Sequence, residues 1–131
     1  MSAQQLPRKQ FLENLRGRVL GNEGAVAVVI GDIARWMAAG KSVPDVSDLT
    51  YVEFTEFTPT TVYDVRPDVV LSPLVTDTFD AFQVARTLSA SGFKGRYRAV
   101  SPHLPNLQMI KAEVAAEAPD LDFDIVVMPP T

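Results

Sequence analysis

Residues 67 to 74 read PDVVLSPL, an apolar run that stops at Ser72-Pro73. The carboxyl ends of parallel strands are where ligands and reactive groups usually lie, which makes Ser72 a candidate nucleophile. A serine nucleophile needs a base, and the single histidine, His103, follows a neighbouring apolar run in the segment SPHLP. Nucleophilic serines at such strand ends are flanked by glycines, whereas Ser72 precedes Pro73. We therefore interpret Ser72-Pro73 as structural and His103 as a solvated loop residue.

Carboxylates are sparse at the predicted strand ends. The run AVAVVIGD supplies one acid there, Asp32, and either Asp32 or Asp77 would have to orient the histidine of a serine-histidine pair. Asp120, Asp122 and Asp124 alternate in PDLDFD, but no glycine or distal glutamate completes a calcium loop. The chain also contains no cysteine, which excludes disulfides and thiol chemistry. We predict that the protein has no catalytic residue, no metal site and no bound cofactor.

Composition indicates one globular domain. The chain has 131 residues, of which 47% are hydrophobic and 21% charged, and this is enough for a single buried core. No run approaches the ~20 apolar residues of a membrane span, and the amino-terminal residues lack the apolar core of a signal peptide. We predict a cytoplasmic protein with a single domain over residues 1 to 131 and no membrane contact.

Positive charge is concentrated in one short segment. The net charge is -4, with acids and bases interspersed, which argues against a nucleic-acid surface because phosphate binding needs clustered cations. In GFKGRYR, Lys94, Arg96 and Arg98 alternate at the start of a predicted strand. Such a row usually forms a solvated face, and its alternative role is contact with a partner protein. Arg96 and Arg98 are therefore candidate interaction residues.

Five short apolar runs alternate with segments of helical spacing. The runs predict strands at residues 25 to 30, 49 to 54, 68 to 74, 97 to 101 and 123 to 128. Helices are predicted within residues 33 to 40, 58 to 67, 78 to 92 and 106 to 120. Continuous apolar strands joined by helical crossovers are typical of a parallel sheet that is buried on both faces. The predicted fold class is α/β.

Two of the predicted helices carry start and stop signals. Gly92 is placed to end the helix in residues 78 to 92, because glycine readily adopts the left-handed conformation found there. Asn106 is predicted to cap the helix in residues 106 to 120, and Pro119 to stop it.

The stretch PDVVLSPLVTDTFDAFQVARTLSASGFKGRYRAVS resembles the middle of a response-regulator receiver domain. That family shows a Pro-Asp pair before a strand, an Asp-Gly before a helix like FEVARRL, and then a strand that ends in Ser or Thr. Here Pro67-Asp68, Asp80-Ala81 and Ser101 hold these places. The resemblance implies a flavodoxin-like fold, a three-layer α/β sandwich whose five-stranded parallel sheet has the order 2-1-3-4-5.

The resemblance covers about residues 25 to 129 and implies three positions for phosphotransfer chemistry. They are a phosphoacceptor aspartate at the end of the third strand, a pair of acids at the end of the first, and a lysine before a proline at the end of the fifth. Here Pro73 stands at the first position, Asp32 alone at the second, and Met128 at the third. A lone acid cannot hold Mg²⁺ and accept a phosphoryl group. The resemblance therefore implies a pseudo-receiver that is not phosphorylated by the usual metal-dependent route.

Receiver domains carry a final helix after the fifth strand, and this sequence ends at Thr131. Without that helix, one face of the sheet would expose several side chains of Val and Ile to water. We expect this face to be covered by a helix in residues 1 to 20, which contain the apolar stripe of QFLENLRGRVL, or by a second copy of the protein in a homodimer.

The resemblance implies a non-catalytic domain that acts through an unidentified protein partner in bacterial signalling or regulation. The candidate residues are a vestigial pocket and the basic strand start: Asp32, Ser72, Pro73, Ser101 and His103, with Arg96 and Arg98. The alternative function is a small-molecule binder, for a nucleotide or a flavin, or a hydrolase, that uses the crevice at the carboxyl ends of the strands.

Overall fold

A computed structural model of the protein describes residues 26 to 32, 49 to 101 and 106 to 127. Within these ranges the chain forms five strands: β1 (Ala27–Gly31), β2 (Leu49–Glu53), β3 (Val69–Pro73), β4 (Arg96–Ser101) and β5 (Asp122–Val127). They make one sheet in the order β2-β1-β3-β4-β5, and every neighbouring pair is parallel. The predicted α/β class and the strand order are confirmed.

The central strands of the sheet are buried. All five residues of β1 are buried, as are the first four of β3. These strands read AVVIG and VVLSP, and β-branched side chains favour the pleated, doubly buried surface of a parallel sheet. The outer strands β2 and β5 are only half-buried, as their positions at the two sides of the sheet require.

Asp68 links the starts of three strands at the amino edge of the sheet, the edge where the strands begin. Its backbone N–H donates to the carbonyl of Val26 at 2.7 Å, and its carboxylate accepts from the Val26 N–H at 2.8 Å. Its own carbonyl accepts from the Arg96 N–H at 3.0 Å. Because Val26 precedes β1 and Arg96 opens β4, one residue fixes the alignment of β1, β3 and β4.

The described helices are α1 (Pro59–Val65), α2 (Ala81–Ala90) and α3 (Leu107–Glu117), and a short 3₁₀ turn, Phe54–Glu56, follows β2. In α1, Pro59 occupies the first turn, where its missing N–H costs nothing. The helix ends at Arg66, which has the left-handed φ of 52°. In α2, the Asp80 carboxylate accepts from the Gln83 N–H at 3.1 Å, and the Gln83 side chain accepts from the Asp80 N–H at 3.0 Å.

The predicted end signal of α2 is confirmed, and the predicted cap of α3 is wrong. Gly92 has φ 72°, the left-handed conformation that closes a helix. Asn106 does precede α3, but its side chain makes no capping hydrogen bond. Its φ of -110° and ψ of 26° are not the extended conformation in which a side chain reaches back to the first N–H groups.

The core has two parts, one on each face of the sheet. The larger part joins strand residues to side chains of all three described helices, including Val62, Val84, Leu88 and Val114. The smaller part contains strand residues alone, namely Ala27, Val29, Val69, Leu71 and Val100 with partly buried neighbours. No described helix contributes to the smaller part. The predicted helices in residues 1 to 20 and 33 to 40 lie outside the described residues, so the predicted cover of this face stays a prediction.

None of the helices in the described ranges has the length and apolar character that a membrane crossing needs.

Candidate functional site

The strand ends singled out by the sequence lie along one edge of the sheet, which we call the carboxyl edge. Because all five strands are parallel, the residues Asp32, Pro73 and Ser101 are placed at or just beyond this edge. Arg96 begins β4 at the opposite, amino edge. The candidate pocket and the basic strand start therefore occupy opposite ends of the sheet.

Ser72 is turned into the core and away from solvent. It is 1% exposed, and its Oγ lies 2.6 Å from the Oη of Tyr97. The Ser72 hydroxyl donates its hydrogen to the carbonyl of Pro73 at 2.9 Å, so Tyr97 is the donor in the shorter bond. In this arrangement the hydroxyl hydrogen of Ser72 is engaged within β3, and no substrate can reach the oxygen without a change in packing.

Tyr97 is the polar partner that the core provides for Ser72. It is fully buried, and its ring packs against Phe123 with the ring centres 5.2 Å apart. Burial raises the pKa of Tyr97 far above its ordinary value; the hydrogen bond with Ser72 acts in the opposite direction, and the charge of Asp80 adds to the increase. The phenol therefore stays neutral and acts as a structural donor.

The loop between β3 and α2 is held together by the hydroxyl of Thr76, which is buried. Its Oγ1 accepts from the N–H groups of Phe79 at 3.0 Å and Thr78 at 3.2 Å, and it donates to the Phe79 carbonyl at 3.0 Å. The Thr76 N–H also donates to the Phe79 carbonyl at 2.8 Å. This set of bonds makes a tight turn at the carboxyl edge, in which Asp77 and Thr78 are exposed.

Asp32 and Thr78 meet at the carboxyl edge. The Thr78 hydroxyl donates to Oδ2 of Asp32 at 3.3 Å, which joins the end of β1 to the loop after β3. The next residue, Phe79, is buried and stacks its ring on that of Phe54, with centres 4.3 Å apart and planes 6° from parallel. The acid that the resemblance assigns to the end of the first strand thus accepts a hydrogen bond from the residue that precedes an aromatic pair.

Ser101 and His103 are the remaining candidates for the pocket. Ser101, the last residue of β4, is 2% exposed and therefore not open to solvent. His103 lies outside the described residues, and so does Met128. Within the described ranges, no group of three or more His, Cys, Asp or Glu side chains could hold a metal ion. The expectations of no metal, no cofactor and no catalytic residue stay predictions.

Arg98, one of the two arginines proposed as interaction residues, is bound within the protein. Its Nη1 lies 3.1 Å from Oδ1 of Asp122, and it also donates to the carbonyls of Asp122 at 3.0 Å and Tyr97 at 3.1 Å. Arg98 therefore connects β4 to β5. Arg96 is half-buried and forms no ion pair with the described residues.

A second ion pair joins α3 to β5. Lys111 Nζ lies 2.7 Å from Oδ1 of Asp124, and that same oxygen accepts from the Ile125 N–H at 2.8 Å. Burial alone would raise the pKa of Asp124, but these two hydrogen bonds and the charges of Lys111 and Arg98 outweigh it and hold the pKa below its usual value. Asp122 and Asp124 thus support β5, and PDLDFD is bound to neighbouring elements through Arg98 and Lys111.

Sequence reasoning missed three residues that shape the carboxyl edge: Tyr97, Thr76 and Thr78. A signal existed for the threonines, because TDT follows a strand end and hydroxyls there commonly bond to nearby backbone. Nothing in the sequence marked Tyr97 as a polar partner of Ser72, since its position is typical of any aromatic residue in a strand. Only the alignment of β3 with β4, in which Ser72 lies opposite Ala99, brings its hydroxyl to Ser72.

No known protein family, curated protein or solved structure matches this chain. The resemblance to receiver domains therefore stays a prediction, and any function has to be argued from the geometry.

Proposed function

We propose that the protein is a non-catalytic receiver-like domain that acts by binding another protein, in bacterial signalling or regulation. The strand order 2-1-3-4-5 is the one that the resemblance implies, although a fold by itself does not determine function. The absence of phosphotransfer is therefore inferred from the residues at the carboxyl edge.

The observation that carries the proposal is the way β3 ends. Its last two residues are Ser72, which is bonded to Tyr97 in the core, and Pro73, which has no side-chain oxygen. A phosphoacceptor needs an accessible carboxylate at this position, and the neighbouring acid, Asp32, accepts a hydrogen bond from Thr78. A strand end of this kind supports a domain that presents a surface and does not transfer a phosphoryl group.

The test is incubation of the purified protein with Mg²⁺ and acetyl phosphate, followed by intact-mass measurement. We expect the mass to stay unchanged while an active receiver domain in the same buffer gains one phosphoryl group. A stable phosphoryl adduct on a residue of the carboxyl edge would contradict the proposal. The Asp32→Asn variant then identifies whether that acid takes part.

Binding of a partner needs its own experiment, because failure to phosphorylate shows only what the domain does not do. Photo-crosslinking groups placed at exposed positions of the carboxyl edge, at Asp77 and Thr78, should capture one defined protein in the native cell. The same groups at exposed positions of α3, at Gln108 and Ala115, serve as the matched control. Capture that is equal at both surfaces would argue against a specific interface at the carboxyl edge. A homodimer is measured separately, by sedimentation of the full chain.

The alternative, a small-molecule binder at the carboxyl edge, has one observation in its favour. Asp32 and the hydroxyl of Thr78 bring two polar groups together next to Phe79, which stacks on Phe54, and ligand sites commonly combine a few polar groups with aromatic side chains. A thermal-shift screen with nucleotides and flavins tests it, since a ligand at a hundredfold its Kd stabilises a protein by about 2.7 kcal/mol. A shift that Asp32→Asn abolishes would favour the binder over the protein-interaction domain.

A further inference from the structure

A cleft of about 370 Å³ opens at the amino edge of the sheet, opposite to the carboxyl edge. It lies between the end of α1 and the turn after α2, in front of the first residues of β3 and β4. Ligand pockets in proteins begin at roughly 300 Å³, so this cleft has the volume of a site for a small molecule. We call it the amino-edge cleft.

The amino-edge cleft has an apolar floor and one exposed aromatic ring. Val62, Pro67 and Phe93 line it and are buried from solvent. Tyr63 stands at the rim and is 59% exposed, which is unusual for so large an apolar surface. An exposed ring next to an apolar floor is suited to a planar group, because rings stack with favourable dispersion and electrostatic energy.

Two cations at the same rim have no counter-ion among the described residues. Arg66 and Lys94 both line the cleft and are exposed, and neither forms an ion pair with any residue in the described part of the chain. Three other described cations, Arg86, Arg98 and Lys111, each pair with a carboxylate of the described residues, whereas Arg96 does not. The one acid in the lining, Asp68, has its carboxylate bonded to the Val26 N–H.

The backbone next to Lys94 offers two further donors. Across the described residues, the N–H groups of Lys94 and Gly95 donate to no protein acceptor. Successive free N–H groups in a turn are a common means of binding anions. Gly95 lies so close to the Asp68 carbonyl that any side chain there would collide with it.

We propose that the amino-edge cleft binds a small phosphorylated molecule that carries a planar ring, the class that includes nucleoside monophosphates. The phosphate is bound by Arg66, Lys94 and the free N–H groups of the turn, and the ring lies against Tyr63 over the apolar floor. This site is separate from the carboxyl edge and does not depend on the function proposed there.

The test is a titration of the ¹⁵N-labelled full chain with AMP, followed by NMR. We expect saturable shifts at the amides of Tyr63, Gly92, Lys94 and Gly95. Adenosine and inorganic phosphate, titrated separately, each supply half of the required chemistry. Both should bind about tenfold more weakly than AMP or worse, since loss of a charged hydrogen bond or of ring stacking costs on the order of a factor of ten.

Charge variants separate binding from stability. Arg66→Asn keeps a residue that tolerates the left-handed backbone, and Lys94→Gln keeps the length of the side chain. Each should weaken AMP about fivefold, as expected for one exposed charge-assisted contact. Both cations follow helix ends, whose partial negative charge they offset, so the melting temperature of each variant is measured as well. A purely structural role would change the melting temperature and leave the AMP affinity unchanged.

The matched control is Arg86→Gln, which removes the same charge from α2 on the side that faces Glu117 of α3. It should leave AMP binding within about twofold of the wild type, because a distant exposed charge is screened by salt. The proposal is overturned if AMP binds no more tightly than inorganic phosphate, or if Arg66→Asn and Lys94→Gln leave its affinity unchanged. Shifts confined to Asp32 and Thr78 would also overturn it and would place the ligand at the carboxyl edge.

Discussion

The hydroxyls of Ser72 and Tyr97 lie 2.6 Å apart in the core, where they join the end of β3 to the neighbouring strand β4. The Ser72 hydroxyl donates its own hydrogen bond to the Pro73 carbonyl, so Tyr97, Ser72 and Pro73 form a short series of hydrogen bonds. Each of these buried oxygens has a partner, as a buried polar group requires. A serine that stands where a reactive group is expected is thus part of the packing.

Because these hydrogen bonds run from Tyr97 to Ser72 and from Ser72 to Pro73, removing the Ser72 hydroxyl should not have the same effect as removing the Tyr97 hydroxyl. Ser72→Ala leaves the buried Tyr97 hydroxyl without its acceptor and should cost about 2 kcal/mol, whereas Tyr97→Phe leaves Ser72 bonded to Pro73 and should cost about 1 kcal/mol. The free energy of unfolding in urea measures both. In the double variant no unpaired donor remains, so its cost should fall below the sum of the two single values. A larger cost for Tyr97→Phe than for Ser72→Ala would reverse the assigned direction.

Burial of Tyr97 also predicts a loss of stability in alkali. Its pKa is raised in the folded protein, so the unfolded chain releases the phenolic proton at a lower pH than the native state does. The contribution is fully present below about pH 10 and declines above it by up to about 1.4 kcal/mol per pH unit. Unfolding in urea at several pH values between about 9 and 11 measures the slope. Tyr97→Phe should make that slope shallower, and an unchanged slope would contradict the burial of the phenol.

Thr76 and Thr78 provide a matched pair in the loop before α2. Thr76→Val leaves the buried Phe79 N–H without its side-chain acceptor and should cost about 2 kcal/mol. Thr78→Val makes the same chemical change at an exposed position, where it removes the contact with Asp32 and should alter stability by about 0.5 kcal/mol or less. Thermal unfolding compares them. Equal losses would mean that the loop depends on Asp32 as much as on its own turn.

Gly95 is predicted to be irreplaceable. A Cβ there would collide with the Asp68 carbonyl and the Phe93 ring, so Gly95→Ala should cost about 2 kcal/mol or more. Gly92→Asn is the control: it keeps a residue that accepts the φ of 72°, and a side chain at Gly92 meets open space. Its cost should stay within about 1 kcal/mol. If urea unfolding shows the two variants to be alike, the close approach of Gly95 to Asp68 is not present in solution.

The ion pair between Lys111 and Asp124 predicts a small acid-dependent term. Because the pKa of Asp124 is lowered in the folded state, its contribution is present above its unfolded pKa of about 4 and is lost as the pH falls through the folded value. The pair is about half exposed, so Asp124→Asn should cost no more than about 1 kcal/mol at neutral pH and approach zero in acid. Asp120→Asn, at an exposed acid with no ion pair to the described residues, is the control. A cost that does not change with pH would rule out an electrostatic origin.

The sequence was sufficient to predict the five strands, because each buried strand appears as a short apolar run. Each strand lies within one or two residues of its predicted bounds, and Gly92 marked the end of α2. The order of the strands came from the resemblance to receiver domains, which the observed order matches. Periodicity alone would have left several parallel arrangements open.

The contacts at the site could not be predicted, since they depend on which side chains the register brings face to face. Arg98 looked like a free cation until β5 placed Asp122 beside it. Asn106 is of a residue type that caps helices, but its backbone is not extended, and its side chain makes no hydrogen bond with the first N–H groups of α3. The amino-edge cleft was not anticipated for the same reason, because Arg66 and Lys94 are far apart in sequence.

The contacts of Asp68 affect which loops of the fold can be changed. With β1, β3 and β4 aligned from their starting ends, the pairing of these strands does not depend on the length of the loops at their far ends. The exposed residues of the loop between Leu74 and Asp80, Asp77 and Thr78, can therefore change while the register is kept. The domain has the properties of a scaffold whose exposed loop residues vary at one end while the alignment is maintained at the other.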